Sequence, residues 1–474
     1  MDAWKILFYK NVATDRLVRM FLDFEEQLES SLPELDKVLK QYYDMLAEMA
    51  SAFSEIRAPG GKLWKKYLIG KLLTDENYFS LQAEKRDLDE MAPGIVRMAR
   101  QDLNQIQELA GWRWADAYRL LSEKFGITAE ALPSWEDFGS REEFGSREEL
   151  GLSRADFGPR LEADPPAAPG DAFRESEERE IRDIYELLES GKLWGDCLEE
   201  LAAYYRKRGV GVFGQYRAFR WVSRRHGNGR LEGVGNLDAV CFKELYEYKE
   251  EQARVIQNTR QFVMGFPANN VLLYGDRGTG KSSTVKALVH QFGSAGLRLV
   301  EMQKQDIRDF PALIGQLSNR ALKFIIYLDD LAFVGQEDQY RELKAVLEGG
   351  LSAMPANVLI YATSNRRHLV QERFQDKDIT GVLAESEDVR FMDTLQEKLS
   401  LADRFGMTVT FIAPDQKRYL AIVRQLAESR GIQLPEEELG RRALNWEIRQ
   451  NVRSPRTARQ FIDALEGELA LERV

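Results

Sequence analysis

The first 132 residues carry apolar side chains at intervals of three and four positions, which is the period of a helix with one buried face. In the stretch that begins at Leu32, apolar side chains recur at positions 35, 38, 39, 42 and 46, and this spacing places them on one side of a helix. The aromatic residues of the region, including Trp64, Tyr67, Trp112 and Trp114, are more typical of a core than of a ligand site. We therefore predict an all-helical domain over residues 1–132.

Further along, the pattern changes to short apolar runs that alternate with helix-like segments. The runs that predict strands are Val271–Tyr274, Leu297–Met302, Lys323–Leu328, Asn357–Asn365 and Met407–Ile412. Continuous apolar runs of this length are typical of parallel strands that helices cover on both faces. The pattern predicts an α/β core with a parallel sheet over residues 236–413.

Residues 133–173 separate these regions and have a different composition. Two near-copies begin at Phe138-Gly and Phe144-Gly, and a run rich in proline follows from Asp164. Such low complexity indicates a flexible linker. The Phe-Gly pairs have a second interpretation as contact points for a partner, but we favour a tolerated repeat in a disordered loop. Helix is expected to resume near Glu175 and to run toward Tyr205, within a helical connecting segment at 174–235.

Part of this connecting segment, residues 201–231, combines cationic and aromatic side chains and contains no acidic residue in 206–230. The cations are Arg206, Lys207, Arg208, Arg217, Arg220, Arg224, Arg225 and Arg230, and the aromatics are Tyr204, Tyr205, Phe213, Tyr216, Phe219 and Trp221. Such a mixture can bind single-stranded nucleic acid or a nucleotide by stacking and charge. We favour the alternative that the aromatics pack on the α/β core and the arginines pair with acidic residues of the front half.

Composition narrows the class of protein. The chain has 474 residues, 44% apolar and 30% charged, with a net charge of −11, as expected for a globular protein of two or three domains. Residues 1–200 carry 26 Lys and Arg against 42 Asp and Glu, a charge of −16, which leaves +5 for the remainder. An acidic front half does not suit a general nucleic-acid binder. Because the sequence has no long apolar run and no signal-peptide pattern, we expect a cytoplasmic protein without a membrane partner.

A complete G-x-x-x-x-G-K-S motif follows the first predicted core strand. It comprises Gly275, Asp276, Arg277, Gly278, Thr279, Gly280, Lys281 and Ser282, and a predicted helix continues from Ser283. Glycines let the backbone N–H groups turn around a polyphosphate, the lysine adds charge toward the β and γ phosphates, and the serine hydroxyl can serve Mg²⁺. The helix also directs its positive end toward the phosphates. The motif predicts a site for ATP and Mg²⁺.

Polar side chains end two further core strands. Asp329 and Asp330 follow the run Lys323–Leu328, and Thr363, Ser364 and Asn365 end the next strand. Because parallel strands deliver their carboxyl ends to one edge of the sheet, we expect these groups beside the phosphate loop. Asp329 is then the Mg²⁺ residue with Ser282, Asp330 positions the attacking water, and Asn365 orients that water or senses the γ phosphate.

Taken together, these motifs resemble those of the AAA+ ATPases, and most closely an uncharacterised bacterial family, the domain of unknown function 815 family. The resemblance covers residues 203–471 and is carried by Asn269–Gly275, Leu347–Leu351, Tyr361–Leu369, Ala402–Gly406 and Arg456–Phe461. It implies a P-loop AAA+ sheet between helices and a C-terminal helical lid at 414–474. It also implies that Arg404 is an arginine finger acting in a neighbouring subunit of a homo-oligomer, and that Arg456 senses nucleotide from the lid.

Two positions depart from the AAA+ pattern. Most of these proteins have glutamate where this chain has Asp330, and many have glycine before the lid arginine where this chain has Ser454-Pro-Arg456. Arg459, one helical turn further on, is therefore an alternative sensor.

Three functions stay open from sequence. The first is an AAA+ ATPase that performs work on a protein or assembly recruited by the acidic front domain. The second is a relative of nucleic-acid initiators and helicase loaders that uses the basic segment. The third is a nucleotide-gated scaffold with little turnover.

Overall fold

The computed structural model describes residues 5–30, 34–53, 63–112, 114–127, 132, 171–224, 229–235, 237–238, 240–331, 337–348, 354–365 and 404–471. These form two compact units, one comprising 1–168 and 174–215 and the other 169–173 and 216–474. The predicted linker at 133–173 lies outside the described residues except at its end, where a helix begins at Asp171. Three of the stretches that carry the resemblance, Leu347–Leu351, Tyr361–Leu369 and Ala402–Gly406, also lie partly outside them.

The first unit is helical, as its spacing predicts. Its helices are α1 Lys10–Ala13, α2 Arg16–Glu29, α3 Leu35–Phe53, α4 Leu63–Thr74, α5 Tyr78–Ala83, α6 Pro93–Ala110, α7 Trp114–Phe125, α8 Asp171–Glu189, α9 Leu198–Arg208 and α10 Val212–Gln215. They share one core, in which Trp64 and Trp194 are buried. The buried carboxylate of Asp102 fixes the start of the described chain, since it accepts backbone hydrogen bonds from Leu7, Phe8 and Tyr9.

The connecting segment at 174–235 differs from its prediction in two respects. One helix was expected from Glu175 toward Tyr205, but α8 and α9 are separated by a turn that includes a short 3₁₀ helix at Trp194–Cys197. The segment then leaves the helical unit and forms two strands, β1 Ala218–Val222 and β2 Arg230–Gly233. Its first part thus belongs to the helical unit and its second part to the sheet.

The second unit is built on a seven-stranded, mostly parallel sheet. After β1 and β2 come β3 Val271–Gly275, β4 Leu297–Glu301, β5 Lys323–Leu328, β6 Val358–Asn365 and β7 Met407–Phe411, in the spatial order β2-β1-β4-β5-β6-β3-β7. Among the strands that the structure describes, β1 and β2 form the only antiparallel pair. The interior strands are almost fully buried, as their continuous apolar runs require. The mixed α/β fold predicted from sequence is confirmed.

Helices cover this sheet and form a separate bundle at the end of the chain. Those between strands are α11 Lys249–Val263, α12 Lys281–Phe292, α13 Phe310–Leu317 and α14 Glu337–Glu348. The C-terminal bundle contains α15 Gln416–Ser429, α16 Glu436–Gln450 and α17 Pro455–Leu471, and Tyr419 and Phe461 lie in its own apolar core. In the described ranges, no helix has both the length and the apolar character needed to cross a membrane.

Strand register determines where the candidate site lies. β3 lies between β6 and β7, and Gly275 at its carboxyl end is level with Asn365 on one side and Phe411 on the other. β5 ends at Leu328, immediately before the two aspartates, beside Ala362 of β6. The predicted loop, acids and amide therefore meet at one edge of the sheet, the usual ligand edge of such folds.

Candidate functional site: a phosphate loop with paired aspartates

The phosphate loop connects β3 to α12 through three glycines with positive φ. At all three a side chain would be strained, and at Gly275 and Gly278 it would also collide with neighbouring atoms. A Cβ on Gly275 would lie 1.9 Å from the Phe411 carbonyl oxygen, and Gly278 has a φ of 75°, a region that side chains disfavour. The helix begins at Lys281 rather than at the predicted Ser283, because Gly280 already accepts the first helical hydrogen bond, from Thr284 N at 2.8 Å.

Lys281 points back into the loop that precedes it. Its Nζ donates to the carbonyl oxygens of Gly275 at 2.9 Å and Asp276 at 2.6 Å, and to Asn365 Oδ1 at 3.2 Å. Burial lowers the pKa of this ammonium from 10.5 to about 8, and the nearby positive charge of Arg456 acts in the same direction. Because carbonyl oxygens do not neutralise the charge of the desolvated Lys281 ammonium, binding of an anion beside it is favourable.

Asp329 receives a set of hydrogen bonds from three sides. Its Oδ1 accepts from Ser282 Oγ at 2.9 Å, from Thr363 Oγ1 at 2.6 Å and from the backbone N–H of Asp330 at 3.1 Å. Burial alone would raise the pKa of this carboxyl, but the Thr363, Tyr327 and Ser282 hydroxyls, with the charge of Lys286, outweigh it and hold the pKa below its usual value. The charged form is the one that binds a cation.

Asp330 adopts a left-handed backbone conformation, with φ of 50°. Its carboxylate Oδ1 accepts from Asn365 Nδ2 at 2.5 Å, and the same amide accepts from Lys281 through its oxygen. A chain of contacts thus runs from the Lys281 ammonium through the Asn365 amide to the second aspartate.

The C-terminal bundle contacts the outer side of the loop at two places. The backbone N–H of Arg456 donates to the Gly278 carbonyl at 3.3 Å, and a Cβ on Gly278 would lie 2.8 Å from Ser454 Oγ. Before the bundle begins, Ala413 N donates to Asp276 Oδ2 at 2.8 Å. Both the approach to the bundle and its last helix therefore touch the loop.

Among the predicted arginines, only Arg456 is shown at the loop. Arg459 is half-buried one turn along α17. Arg404 is exposed and precedes β7 at the end that pairs with Val271, whereas the phosphate loop follows the opposite end of β3. Within one chain, Arg404 therefore lies near the amino ends of the parallel strands, whereas the aspartates follow the carboxyl end of β5.

Two contacting residues had no predicted role. Thr363 was noted only as one of several polar groups at a strand end, and its buried position between two aspartates depends on the pairing of β5 with β6. Ser454 was noted only as a departure from a family pattern, and its contact with Gly278 joins positions far apart in sequence.

The donors at this edge suit a magnesium nucleotide. Ser282 and Asp329 offer one hydroxyl and one carboxylate, and Mg²⁺ is commonly held by one or two such protein oxygens together with phosphates and water. Among the described residues, no group of three or more His, Cys, Asp and Glu side chains is arranged to hold a metal by itself. Glycine-rich backbone, Lys281 and the start of α12 fit the phosphates.

Three comparisons with known proteins gave one distant structural likeness, no curated relative and one family match. A mutant of RuvB from Thermotoga maritima is 11% identical with a TM-score of 0.27, over 46% of this chain and 69% of that chain, a likeness too distant to support any argument. No curated protein matches. A family profile described as "Protein of unknown function (DUF815)" matches residues 214–469, which is more than half of the chain and confirms the predicted family. The chain belongs to the DUF815 family.

Proposed function

We propose that the protein is an AAA+ ATPase that binds ATP with Mg²⁺ at this site and hydrolyses it. The observation that carries the proposal is the 2.9 Å contact between Ser282 Oγ of the loop and Oδ1 of Asp329, which directly follows β5. These are the two protein groups that hold the metal in P-loop enzymes, and residues 47 positions apart come together here.

In the proposed reaction, a water oxygen forms a bond to the γ phosphorus, and the bond from that phosphorus to the bridging oxygen breaks. ADP and inorganic phosphate leave, and one proton of the water passes through Asp330 to solvent. Lys281 and the loop N–H groups stabilise the phosphate charge, Ser282 and Asp329 hold Mg²⁺, and Mg²⁺ supplies further neutralisation of the β and γ phosphates when it is bound.

Asn365 is suited to report the γ phosphate. Its oxygen accepts from Lys281 Nζ and its nitrogen donates to Asp330. A phosphate that draws Lys281 Nζ toward itself competes for the first contact, and the amide is then freer to reorient with Asp330. Nucleotide occupancy would thereby be coupled to the position of the general base.

Assembly and motion complete the proposal. The position of Arg404 at the far edge of its own sheet supports action in a neighbour's site of a homo-oligomer, since it does not reach the loop of its own chain. The C-terminal bundle acts as the lid, since the Arg456 backbone contacts Gly278 of the phosphate loop and Ala413 N, in the segment before the bundle, donates to Asp276. Opening and closing of the bundle is the conformational output.

We infer a protein or protein assembly as the target rather than nucleic acid. Of the six aromatic residues in the basic segment, Tyr204, Tyr205, Phe213, Phe219 and Trp221 are buried and Tyr216 is half-buried. They offer few faces for base stacking. Arg208 and Arg217 are buried as well, and Arg206 pairs with Asp87. The acidic helical unit is then the surface for recruitment.

Steady-state phosphate release tests the enzyme. Wild-type protein should release phosphate from ATP in a Mg²⁺-dependent manner, Lys281→Ala should bind poorly, and Asp330→Asn should bind ATP without turnover. If wild type and both variants release equally negligible phosphate in the assembled protein, the alternative of a nucleotide-gated scaffold is favoured. A titration with single-stranded and duplex DNA at two salt concentrations tests the alternative of a helicase-loader relative, because contacts to DNA phosphates make such binding strongly salt-dependent. Tight, salt-sensitive binding would overturn the choice of a protein target.

A further inference from the structure

The end of β6 holds the acidic turn through both backbone and side chains. Leu331 N donates to the Thr363 carbonyl at 2.8 Å, and Ser364 Oγ donates to the Leu331 carbonyl at 2.7 Å. Between these contacts and the site, the Thr363 hydroxyl donates to Asp329 Oδ1 at 2.6 Å and accepts from Asp330 N at 2.9 Å. One hydroxyl therefore contacts both members of the acidic pair.

This hydroxyl has a defined direction. A threonine hydroxyl has one proton and can accept through its lone pairs, so donation to the Asp329 carboxylate uses the proton and leaves the oxygen to accept from Asp330 N. Thr363 is 2% exposed, and solvent therefore offers little substitute for either contact. Removal of the hydroxyl would leave the Asp330 N–H with the longer 3.1 Å contact to Asp329.

The turn that this hydroxyl supports is strained. Asp330 has a φ of 50°, which side chains adopt at a cost that surrounding contacts must offset. Asp and Asn tolerate this region far better than most residues. The conformation gives a reason for an aspartate where AAA+ proteins usually have glutamate: the shorter acid fits the left-handed turn, and the turn directs it to Asn365.

We propose that Thr363 is a positioning residue that aligns Asp329 and Asp330 together, and that the turn it holds makes aspartate the functional acid at position 330. The inference rests on the proposed ATPase function. Thr363 touches neither nucleotide nor water in this scheme. It acts by fixing the metal-binding carboxylate and the backbone from which the second carboxylate extends.

The test uses the full-length protein and an isosteric pair of variants. Thr363→Val keeps the branched shape and removes the hydroxyl, whereas Thr363→Ser keeps the hydroxyl and removes the methyl. We measure kcat, KM for ATP and the Mg²⁺ concentration for half-maximal rate. A second readout independent of turnover is the affinity for a fluorescent ATP analogue, by anisotropy, with and without Mg²⁺.

For Thr363→Val, we expect kcat to fall about tenfold and the half-maximal Mg²⁺ concentration to rise about tenfold, the usual effect of losing a partner of a metal ligand. Affinity for the analogue without Mg²⁺ should stay within about twofold of wild type, since the phosphate loop is unchanged. Thr363→Ser should recover both values to within about threefold of wild type. If Thr363→Val does not fold, Thr363→Ala replaces it with the same expected shifts.

Three outcomes would overturn the positioning role: wild-type kinetics in Thr363→Val, equal impairment of the Ser and Val variants, or an equal loss of affinity with and without Mg²⁺. Asp330→Glu tests the second part of the proposal, that the turn requires aspartate at position 330. We expect its turnover to be at least about tenfold below wild type, although the carboxylate is retained. A Glu variant as active as wild type would refute it. Absence of turnover in wild type would instead defeat the proposed function itself.

Discussion

Replacing Lys281 with methionine removes the buried ammonium of the phosphate loop and keeps an unbranched chain of similar length. Burial lowers the pKa of this lysine from 10.5 to about 8. One pKa unit corresponds to ~1.36 kcal/mol, so the buried charge costs about 3 kcal/mol of stability. Because the contacts to Asp276 and Asn365 are only partly buried, solvent screening reduces this to about half.

The substitution also removes three hydrogen bonds. Two of them are accepted by the carbonyl oxygens of Gly275 and Asp276, and a lost hydrogen bond costs about 1 kcal/mol. The relief of the buried charge, about 1.5 kcal/mol after screening, offsets about half of the roughly 3 kcal/mol lost with the three contacts. Near pH 7 and without nucleotide, we expect the free energy of unfolding of Lys281→Met to lie about 1–2 kcal/mol below the wild-type value.

The difference between the two proteins should change with pH in one direction. Below pH 8, Lys281 is charged in both the folded and the unfolded chain. Between about pH 8 and 10.5, the folded chain loses this proton first, so the unfolded state binds more protons and wild-type stability rises with pH. The methionine variant lacks this contribution. From pH 7 to 9.5, the free energy of unfolding of wild type should therefore rise by about 1 kcal/mol relative to that of Lys281→Met, after screening is allowed for.

Urea unfolding at pH 7 and 9.5, followed by circular dichroism and tryptophan fluorescence, measures this change. The transition of the α/β unit is the one that Mg²⁺ and ATP shift in wild type; ATP at 100 times its Kd should stabilise it by about 2.7 kcal/mol, with no such shift in Lys281→Met. Lys249→Met, at the exposed first position of α11, is the matched control. A wild-type-minus-variant difference that stays flat, or moves against wild type as pH rises, would refute the reasoning.

Three other substitutions test separate parts of the structure. Gly278→Ala places a Cβ 2.8 Å from Ser454 Oγ at a φ of 75°, so the α/β unit should lose about 1–2 kcal/mol in urea unfolding, and an unchanged midpoint would contradict the bundle contact. Asp102→Asn replaces an acceptor of three backbone N–H groups and should destabilise the helical unit by about 2 kcal/mol in the same assay; a shift below about 0.5 kcal/mol would count against that role. Arg404→Ala should retain ATP binding but lose turnover by about 100-fold or more, and mixing it with Asp330→Asn should restore part of the rate, whereas a mixture no faster than its components would argue against action in a neighbouring subunit.

Sequence was sufficient to predict which polar residues meet at one edge of the sheet. The phosphate loop, the paired aspartates and Asn365 all follow buried parallel strands, and chain order with strand polarity is sufficient to bring such positions to one edge. Contacts such as Lys281 to Asn365 then follow from neighbouring strands. This prediction depends only on local sequence, because short, continuous apolar runs of this kind seldom form anything but buried strands.

The added strands β1 and β2 were not predicted, and their composition explains why. In β1, Phe219 and Trp221 are buried on either side of the exposed Arg220. Its alternation is that of a strand, but it lies inside a run of cations and aromatics that equally suggests a binding surface. Trp221 is held by packing against Gly229 and by a hydrogen bond from Nε1 to Asp309 Oδ2 at 3.1 Å. Such long-range partners are not visible in local pattern.

Backbone conformation was the other property that pattern could not supply. The left-handed φ of Asp330 and the contact of Ser454 with the loop each depend on tertiary packing between distant segments. From the sequence, Asp330 was recognised only as a departure from the glutamate that most AAA+ proteins have at this position. The structure instead joins it to the Thr363 hydroxyl through a 2.9 Å hydrogen bond from Asp330 N.

The most direct test of the ATPase account is a single-turnover measurement with wild-type protein and Asp330→Asn, each in excess over labelled ATP and in the presence of Mg²⁺. We predict that wild type converts its bound ATP to ADP and phosphate, whereas Asp330→Asn retains the same amount of nucleotide as uncleaved ATP. Failure of wild type to bind or cleave ATP, or equal cleavage rates in the two proteins, would contradict the assignment of this site.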